Sequence, residues 1–231
     1  MPRIFETQDG SHSIFSEKYS VGYHSKYGAV QESRHVFMEA ALHFKALLKK
    51  ELAVLEIGFG TGLNAFMTYL EAKELQLTIR YVAVEAYPVS LKQAERLNYP
   101  NQLNAQDETA SFLKMHCSDW ETVVQMNNFF TFEKVKRHFE TISYQNQFDI
   151  IYFDAFDPDA QPELWERKLL QKMYDALLPG GILVTYCAKG AVKRTLKAVG
   201  FEIESLKGPP GKREMTRASK NLLVPESTKE R

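Results

Sequence analysis

The feature of this 231-residue sequence that most restricts its fold is a short apolar run that ends in closely spaced glycines. Residues 52–57 have the length of a buried strand, and Gly58, Gly60 and Gly62 follow before a helical pattern begins. Glycines at such a turn let the backbone approach a ligand, and the first amides of the next helix point at that ligand. The pattern predicts a strand–turn–helix unit with a ligand at the turn; the alternative is a tight turn that binds nothing.

The rest of the chain alternates strand and helix patterns. We predict strands at residues 78–86, 129–135, 148–153, 182–187 and 201–206, and helices at 33–50, 88–97, 105–115, 162–177 and 191–199. Ser33 is the expected N-cap of the first helix, Asp9-Gly10 the turn of an N-terminal hairpin, and Pro179-Gly180-Gly181 the end of the helix at 162–177. Strands buried on both faces and alternating with helices predict an α/β, doubly wound, mainly parallel sheet, whose ligands bind at the carboxyl ends of the strands.

The domain organisation that we expect has three parts. Residues 1–32 are an N-terminal extension, 33–219 the main domain with an insertion at 98–128 that lacks a clear strand, and 220–231 a flexible tail. Fifteen Phe, eleven Tyr and two Trp exclude disorder as the main state, and two cysteines exclude a disulfide scaffold. The first ten residues lack a signal-peptide core and the apolar runs are shorter than a membrane span, so a cytoplasmic protein without a membrane partner is expected.

The charge is balanced overall but uneven along the chain. The sequence has 29 basic and 29 acidic residues, whereas the stretch from Lys189 to Lys220 has nine Lys or Arg against three Glu. Such an excess is either a docking face for phosphates or, more commonly, a solvated surface.

Two carboxylates are expected at the same sheet edge as the glycine loop. Glu85 ends the strand at 78–86, where a doubly wound fold places the carboxylate that binds a ribose diol. Asp154 follows the strand at 148–153 and could accept hydrogen bonds or charge from an amine, with Phe156 as a flat wall beside it. The alternatives are an exposed glutamate and an Asx turn before a proline loop. The G-x-G-x-G spacing differs from the dinucleotide fingerprint, which argues against a NAD-dependent dehydrogenase.

A second loop carries cations. Lys212 and Arg213 follow Gly208-Pro209-Pro210-Gly211 after the strand at 201–206, as a phosphate clamp or as a solvated hairpin. The histidines show no metal-ligand spacing, so no metal is expected.

Together these segments resemble a class I S-adenosylmethionine-dependent methyltransferase. The likeness lies in residues 56–64, Glu85, residues 154–158, Leu178-Pro179-Gly180-Gly181 and residues 211–215, extends to residues 27–37, and covers about residues 13–218. More narrowly, residues 154–158 with Pro162-Glu163-Leu164-Trp165, and the Lys-Arg-Glu-Met loop at 212–215, are similar to the methyltransferase modules of bacterial enzymes that make 5-methylaminomethyl-2-thiouridine at the tRNA wobble position.

This resemblance implies a Rossmann-like fold and N-methylation of 5-aminomethyl-(2-thio)uridine in the tRNA anticodon arm. It implies S-adenosylmethionine contacts from Glu56, Gly58, Phe59, Gly60, Thr61, Gly62, Asn64, Glu85, Ala86 and Asp154, with Asp154 also the catalytic residue. The substrate-binding candidates are Phe156, Asp157, Lys189, Lys212 and Arg213. Many bacteria fuse this module to an FAD-dependent oxidase; the absence of a second glycine-rich fold leads us to expect a stand-alone monomer without flavin or an obligate protein partner.

The pattern departs from the family on the adenine side of the site. The family usually has an Asp shortly after the fourth strand, whereas this chain has Lys136-Arg137-His138-Phe139-Glu140, and Asp119-Trp120 lies upstream as a possible substitute. Two rival functions stay open: a methyl- or aminopropyltransferase for a small amine, and a non-catalytic RNA-binding protein that retains the fold.

Overall fold

The computed structural model describes residues 3–222, which form two sheets flanked by helices. The small sheet contains β1 (Arg3–Glu6), β2 (His12–Ser16) and β3 (Val21–Gly22). The large sheet contains β4 (Glu51–Ile57), β5 (Thr78–Glu85), β6 (Val123–Asn127), β7 (Phe130–Lys136), β8 (Phe148–Phe153), β9 (Leu177–Thr185), β10 (Glu202–Lys207) and β11 (Glu214–Ser219).

The helices connect the strands of the large sheet. They are α1 (Ala29–Ser33), α2 (Phe44–Ala46), α3 (Leu63–Leu75), α4 (Leu91–Ala94), α5 (Tyr99–Gln102), α6 (Thr109–Cys117), α7 (Arg167–Ala176) and α8 (Gly190–Val199). Arg34–His43, with π-type hydrogen bonds, joins α1 to α2 in one helical segment, 29–46. Short 3₁₀ turns lie at Gln106–Glu108, Phe139–Thr141 and Pro162–Trp165. Within residues 3–222, no helix combines the length and the apolar character that crossing a bilayer would require.

The order of the large sheet is β10-β11-β9-β8-β4-β5-β7-β6. The five central strands from β9 to β7 are parallel, and β11, β10 and β6 are antiparallel to their neighbours. From β4 the chain moves outward through β5 to β7 and then returns to β8 on the other side of β4. The strand order therefore reverses between β4 and β8, and a ligand crevice is expected at their carboxyl ends.

Alternation along the central strands builds a core on each face of the sheet. In β8, Ile150 and Tyr152 pack with the helical segment 29–46 and α3, whereas Ile151 and Phe153 pack with α7 and α8. Successive side chains of a strand point to opposite faces, so a strand covered on both sides must be apolar throughout. This is why the apolar runs correctly predicted β4, β5, β7 and β8.

The first helix begins at Ala29, so the prediction of Ser33 as its N-cap was wrong. Ser33 lies inside the helix with helical dihedral angles. The first amides are bonded from the N-terminal hairpin instead: Ser11 Oγ accepts from Ala29 N at 3.1 Å, and Asp9 Oδ2 accepts from Gln31 N at 3.0 Å. A cap supplied by residues distant in sequence leaves no local signal. The proposed boundary at 32/33 consequently falls within a continuous helical segment.

The other differences between the predicted and the observed elements concern turn residues, edge strands and the lengths of helices. The segment 98–128 contains the edge strand β6, and its Tyr99, Phe112 and Met115 belong to the core. Pro179-Gly180-Gly181 lies inside β9, where the pairing with β8 shifts register, rather than ending a helix. The helix predicted at 162–177 is a 3₁₀ turn followed by α7, and the one predicted at 88–97 is confined to α4. Of the predicted tail at 220–231, residues 223–231 lie outside the described part of the chain.

Candidate active site

A cavity of about 590 Å³ lies at the carboxyl ends of β4, β5 and β8, where the strand order reverses. Its wall includes most of the predicted site residues: Gly58, Phe59, Gly60, Thr61, Asn64, Glu85, Ala86, Asp154, Phe156, Asp157 and Lys212. The N-terminal segment also contributes to the wall through Ser16, Lys18, Tyr19, residues 21–25 and Glu32, as do residues 138–140 after β7. Residues remote in sequence therefore share one site because parallel strands end at the same edge.

The glycine loop has no room for side chains. Gly58 has a φ of +96°, and a Cβ there would lie 2.9 Å from the carbonyl oxygen of Asp154. Gly60 has a φ of +50°, and a Cβ there would lie 2.9 Å from the ring of Tyr23. The Asp154 amide donates to Ile57 O at 3.1 Å, so the loops after β4 and β8 are bonded side by side. The absence of side chains at Gly58 and Gly60 thereby lets the loop after β8 and the Tyr23 ring pack directly against this loop.

Glu85 braces the glycine loop as well as facing the cavity. Its Oε2 accepts from Gly60 N at 2.9 Å and its Oε1 accepts from Tyr87 N at 2.8 Å. Burial raises the pKa of Glu85, and the bonds from these amides oppose that shift. Each carboxylate oxygen has a second lone pair, so Glu85 can still accept from two hydroxyls of a ligand.

Asp154 is a titratable group in the wall of the cavity. Burial, followed by the nearby charge of Glu32, raises its pKa to about 7, while the Asn64 side chain and Lys212 favour its ionised form. Asn64 Nδ2 donates to Asp154 Oδ2 at 2.9 Å and orients the carboxyl group. A carboxyl with a pKa near neutrality can both hold and release a proton under physiological conditions.

Glu56 does not line the cavity, contrary to the prediction that it contacts the cofactor. Its side chain is fully buried behind the loop, and within the described residues neither carboxyl oxygen has a hydrogen-bond partner. Burial and then the charge of Asp154 raise its pKa well above the usual range. Gly62 is also absent from the wall: it begins α3 with a left-handed φ of +76° and faces His116. These two residues support the loop from behind.

The Thr61 hydroxyl is held by protein groups. Tyr99 OH donates to Thr61 Oγ1 at 3.1 Å, and His24 Nε2 lies 2.8 Å from the same atom. Burial lowers the pKa of His24 to about 4, so its ring is neutral in this bond. His116 donates to Thr61 O at 3.1 Å. Thr61 thus offers a ligand its main-chain N–H rather than its hydroxyl or its carbonyl group.

An aromatic cluster adjoins Asp154. Phe156 packs against Tyr19 and Tyr23, with ring centroids 4.9 and 5.2 Å apart. Trp165 Nε1 donates to Phe156 O at 2.8 Å, and Tyr186 OH donates to Ala155 O at 2.8 Å, so the loop after β8 is fixed from two sides. The Trp165 bond joins the Pro-Glu-Leu-Trp segment to the loop that carries Asp154.

The predicted basic residues separate into two groups. Lys212 points into the cavity, where its Nζ contacts Glu32 and lies 3.9 Å from the centre of the Tyr186 ring. Lys189 and Arg213 lie on a shallower adjoining depression, and Lys189 pairs with Asp157 at 2.6 Å and with Asp159 at 2.8 Å. Arg213 is exposed. Lys212 and Lys189 are thus paired with carboxylates within the protein, and their contact with substrate phosphates stays a prediction.

The far end of the cavity is closed by groups that follow β5 and β7. Tyr87, His138, Phe139 and Glu140 line it beside Glu85 and Ala86. Asp119 and Trp120, considered as substitutes for the adenine-binding acid, are not part of the wall; the Trp120 ring packs on the ammonium of Lys134.

Sequence reasoning missed the wall residues of the N-terminal segment. Tyr19, Tyr23, His24 and Glu32 come from the hairpin and the first helical turns, where no strand-end rule applies. Their only signal was the likeness at residues 27–37, which includes Glu32.

Comparisons with known proteins agree with this geometry. The tRNA 5-methylaminomethyl-2-thiouridine biosynthesis bifunctional protein MnmC of Leptospira interrogans serogroup Icterohaemorrhagiae serovar copenhageni is 26% identical over 216 residues, 87% of this chain and 32% of that protein. Its namesake in Marinomonas sp. is 28% identical over 231 residues, 93% of this chain and 33% of that protein. The chain thus spans about a third of the length of these curated relatives.

Solved structures share the fold. MNMC2 from Aquifex aeolicus matches with a TM-score of 0.77 at 24% identity, covering 98% of this chain and 73% of that one. Spermidine synthase from Thermotoga maritima matches with a TM-score of 0.53 at 15% identity, covering 95% and 72%. The family model for S-adenosyl-L-methionine-dependent methyltransferases matches residues 78–221, which is more than half of the sequence. The chain therefore belongs to the S-adenosyl-L-methionine-dependent methyltransferase family.

Proposed function

We propose that this chain transfers the methyl group of S-adenosylmethionine to the primary amine of 5-aminomethyl-(2-thio)uridine at the wobble position of tRNA. The observation that carries the proposal is the placement of Asp154 between the glycine loop and the Phe156 cluster. This places one carboxyl group where a cofactor site and an aromatic site adjoin. The names of the relatives, which concern 5-methylaminomethyl-2-thiouridine in tRNA, support this substrate.

The residues of the cavity fit S-adenosylmethionine. Gly58 and Gly60 line the cavity in a loop too tightly packed for side chains, and Glu85 keeps free lone pairs for a ribose diol. We assign the cofactor to Gly58, Phe59, Gly60, Asn64, Glu85 and Ala86 and to the main chain of Thr61. When bound, the cofactor supplies a methyl group on a positively charged sulfur.

The protein's own task is to present a neutral amine in line with that methyl group. An alkyl amine is mostly protonated near neutral pH and has no free lone pair in that form. Asp154 accepts a hydrogen bond from the amine and takes up its proton, and Asn64 keeps the carboxyl group oriented. Proximity and orientation then provide most of the remaining rate enhancement.

The aromatic cluster is assigned to the uracil ring. A wobble base can leave its stack at low cost, and flipped bases bind against aromatic side chains. Phe156, Tyr19 and Tyr23 offer such a surface beside Asp154, and exposed Arg213 is a candidate for a backbone phosphate.

The proposal has further consequences for cofactors and cellular context. Methyl transfer from a sulfonium to an amine needs no electron acceptor, so neither flavin nor metal is required for this step. Since every assigned residue comes from one chain, a monomer suffices. A tRNA substrate places the reaction in the cytoplasm.

The test uses radiolabelled S-adenosylmethionine and bulk tRNA from a strain that lacks the final methylation. Nucleoside digestion should show label in 5-methylaminomethyl-(2-thio)uridine, and Asp154→Asn should abolish labelling while retaining binding of S-adenosylhomocysteine. Label in a small amine but none in tRNA would replace the proposal by the rival amine transferase. Cofactor binding without any methylation would favour the non-catalytic RNA-binding alternative.

A further inference from the structure

An ion pair inside the cavity is not used by the steps above. Glu32 is only 7% exposed, its Oε1 contacts Lys212 Nζ, and its Oε2 accepts from Ser25 N at 3.0 Å. Lys212 also lies over the ring of Tyr186. Both charged groups line the same cavity as Asp154.

Apolar contacts and a hydrogen bond already join the two segments that carry this pair. His35 Nε2 lies 2.7 Å from Lys207 O, which links the first helix to the end of β10. The Tyr27 ring packs on Gly211 so closely that a Cβ there would clash. Because burying a carboxylate and an ammonium is costly and apolar residues often stabilise as well, attachment of the loop does not explain the pair.

We propose that the Glu32–Lys212 ion pair, set in the wall of the cavity that Asp154 also lines, is a positioning device that prepares Asp154 to accept a proton from the substrate amine. The proton-accepting part of this proposal rests on the proposed function. The electrostatic coupling between the ion pair and Asp154 does not depend on that function.

The signs of the neighbouring charges support this role. After burial, Glu32 is the next cause that raises the pKa of Asp154 to about 7, and Lys212 acts in the opposite direction. Other titratable and charged groups lie around the pair and Asp154: Glu56 behind the loop, neutral His24, Tyr81, Tyr99, Tyr186, Cys187, Asp9 in the hairpin, and Asp157 with its partner Lys189. The cavity wall also holds Lys18, Tyr19, Tyr23, Glu85, Tyr87, His138, Glu140 and Glu163. A carboxylate with the usual pKa of Asp would be too weak a base to take a proton from an ammonium group.

The proton and electron balance of the reaction is simple. The substrate ammonium gives one proton to the Asp154 carboxylate and becomes a neutral amine. The nitrogen lone pair forms the new bond to the methyl carbon while the carbon–sulfur bond breaks, and its electron pair goes to sulfur. The product is a methylated ammonium, and Asp154 returns its proton to solvent.

Two variants separate this role from a structural one. Glu32→Gln removes a negative charge and leaves the Lys212 ammonium uncompensated, so it should lower the pKa of Asp154 most, by about one unit or more. Glu32→Gln combined with Lys212→Met removes both charges and should lower it less. We expect the pKa of Asp154 to be highest in the wild type, lower in the double variant and lowest in Glu32→Gln. A purely structural pair predicts that the double variant is affected at least as much as the single one.

The pKa of Asp154 is measured by ¹³C NMR titration of carboxyl-labelled aspartate in the protein without tRNA, with the Asp154→Asn spectrum for assignment. Glu204→Gln, which breaks the ion pair with Arg217 on the strands β10 and β11, is the matched control and should leave the titration unchanged. Any other order of the three pKa values, or equal values in wild type and Glu32→Gln, would overturn the coupling.

The pH dependence of kcat/KM for tRNA methylation tests the use of the coupling. The rise of kcat/KM on the acidic side of the pH profile should move to lower pH in Glu32→Gln. The shift should equal the change in the pKa of Asp154 measured by NMR. If the pKa of Asp154 changes by NMR but the acidic side of the kcat/KM profile does not move, the role of the ion pair in proton transfer is refuted. Absence of tRNA methylation in the wild type would refute the proposed function instead. The order of the three pKa values of Asp154 would still show whether the ion pair and Asp154 are coupled.

Discussion

Replacing Asp154 with Asn should stabilise the protein against unfolding, and the gain should grow with pH. Asn retains an acceptor for Asn64 Nδ2 and removes a carboxylate that the cavity disfavours. Burial raises the folded-state pKa of Asp154 from 3.8 to about 7, so the folded protein binds this proton more tightly than the unfolded chain does. Ionisation of Asp154 therefore costs stability as pH rises from about 4 to 7, with the full cost present above that range.

The size of the effect follows from that pKa difference. The interval between 3.8 and about 7 corresponds to about 4 kcal/mol at most, since one pKa unit is about 1.4 kcal/mol. Asp154 retains some contact with solvent, which screens its charge, so we expect roughly half of that value. The variant should therefore exceed wild type in free energy of unfolding by about 2 kcal/mol at pH 8 and match it near pH 4.

Urea unfolding of both proteins between pH 4 and pH 9 is the assay. Asp157→Asn is the control of opposite sign. Burial would raise the pKa of Asp157, but its bonds from Lys189 and the Asp159 amide outweigh burial and lower that pKa. Asp157→Asn should therefore lose stability at neutral pH. If wild type and Asp154→Asn differ in free energy of unfolding by the same amount from pH 4 to pH 9, the elevated pKa of Asp154 is refuted.

Three further substitutions test the loop, the ribose site and the surface. Gly58→Ala should lower the free energy of unfolding by about 1–3 kcal/mol, measured by thermal or urea unfolding. The reason is that Gly58 has a positive φ and a Cβ there would press on the carbonyl oxygen of Asp154, whereas the control Gly190→Ala in α8 should be nearly neutral. Glu85→Gln should weaken S-adenosylhomocysteine binding about 10- to 100-fold by calorimetry, with exposed Glu95→Gln as control; an unchanged Kd would remove the ribose assignment. Arg213→Ala should raise KM for tRNA and reduce the salt slope by about one, and an unaltered slope would exclude a phosphate contact.

The central strands and the positions of their carboxyl ends could be predicted because apolar content and glycine spacing are local properties. The glycine loop, Glu85 and Asp154 therefore meet in one cavity as expected. The orientation of the side chains could not be predicted in the same way. Glu56 and Asn64 lie close in sequence, yet only Asn64 lines the cavity, because the pleat of β4 turns Glu56 into the core.

Contacts between distant segments account for the remaining differences. The cap of the first helix comes from the hairpin, so Ser33 gave a misleading local signal. Lys212 resembles a surface cation in sequence, and only the fold brings Glu32 to it. Charge counts along a sequence do not reveal such pairing, since the partner lies 180 residues away.

The position of β11 between β9 and β10 determines when the cavity is completed during synthesis. The glycine loop, Glu85 and Asp154 leave the ribosome well before Lys212, which precedes β11 directly. A nascent chain that ends before residue 208 carries these groups but lacks Lys212 in the cavity wall, so Glu32 lacks its counter-ion. The cavity as described therefore forms only late in translation, after both sides of the large sheet have been made.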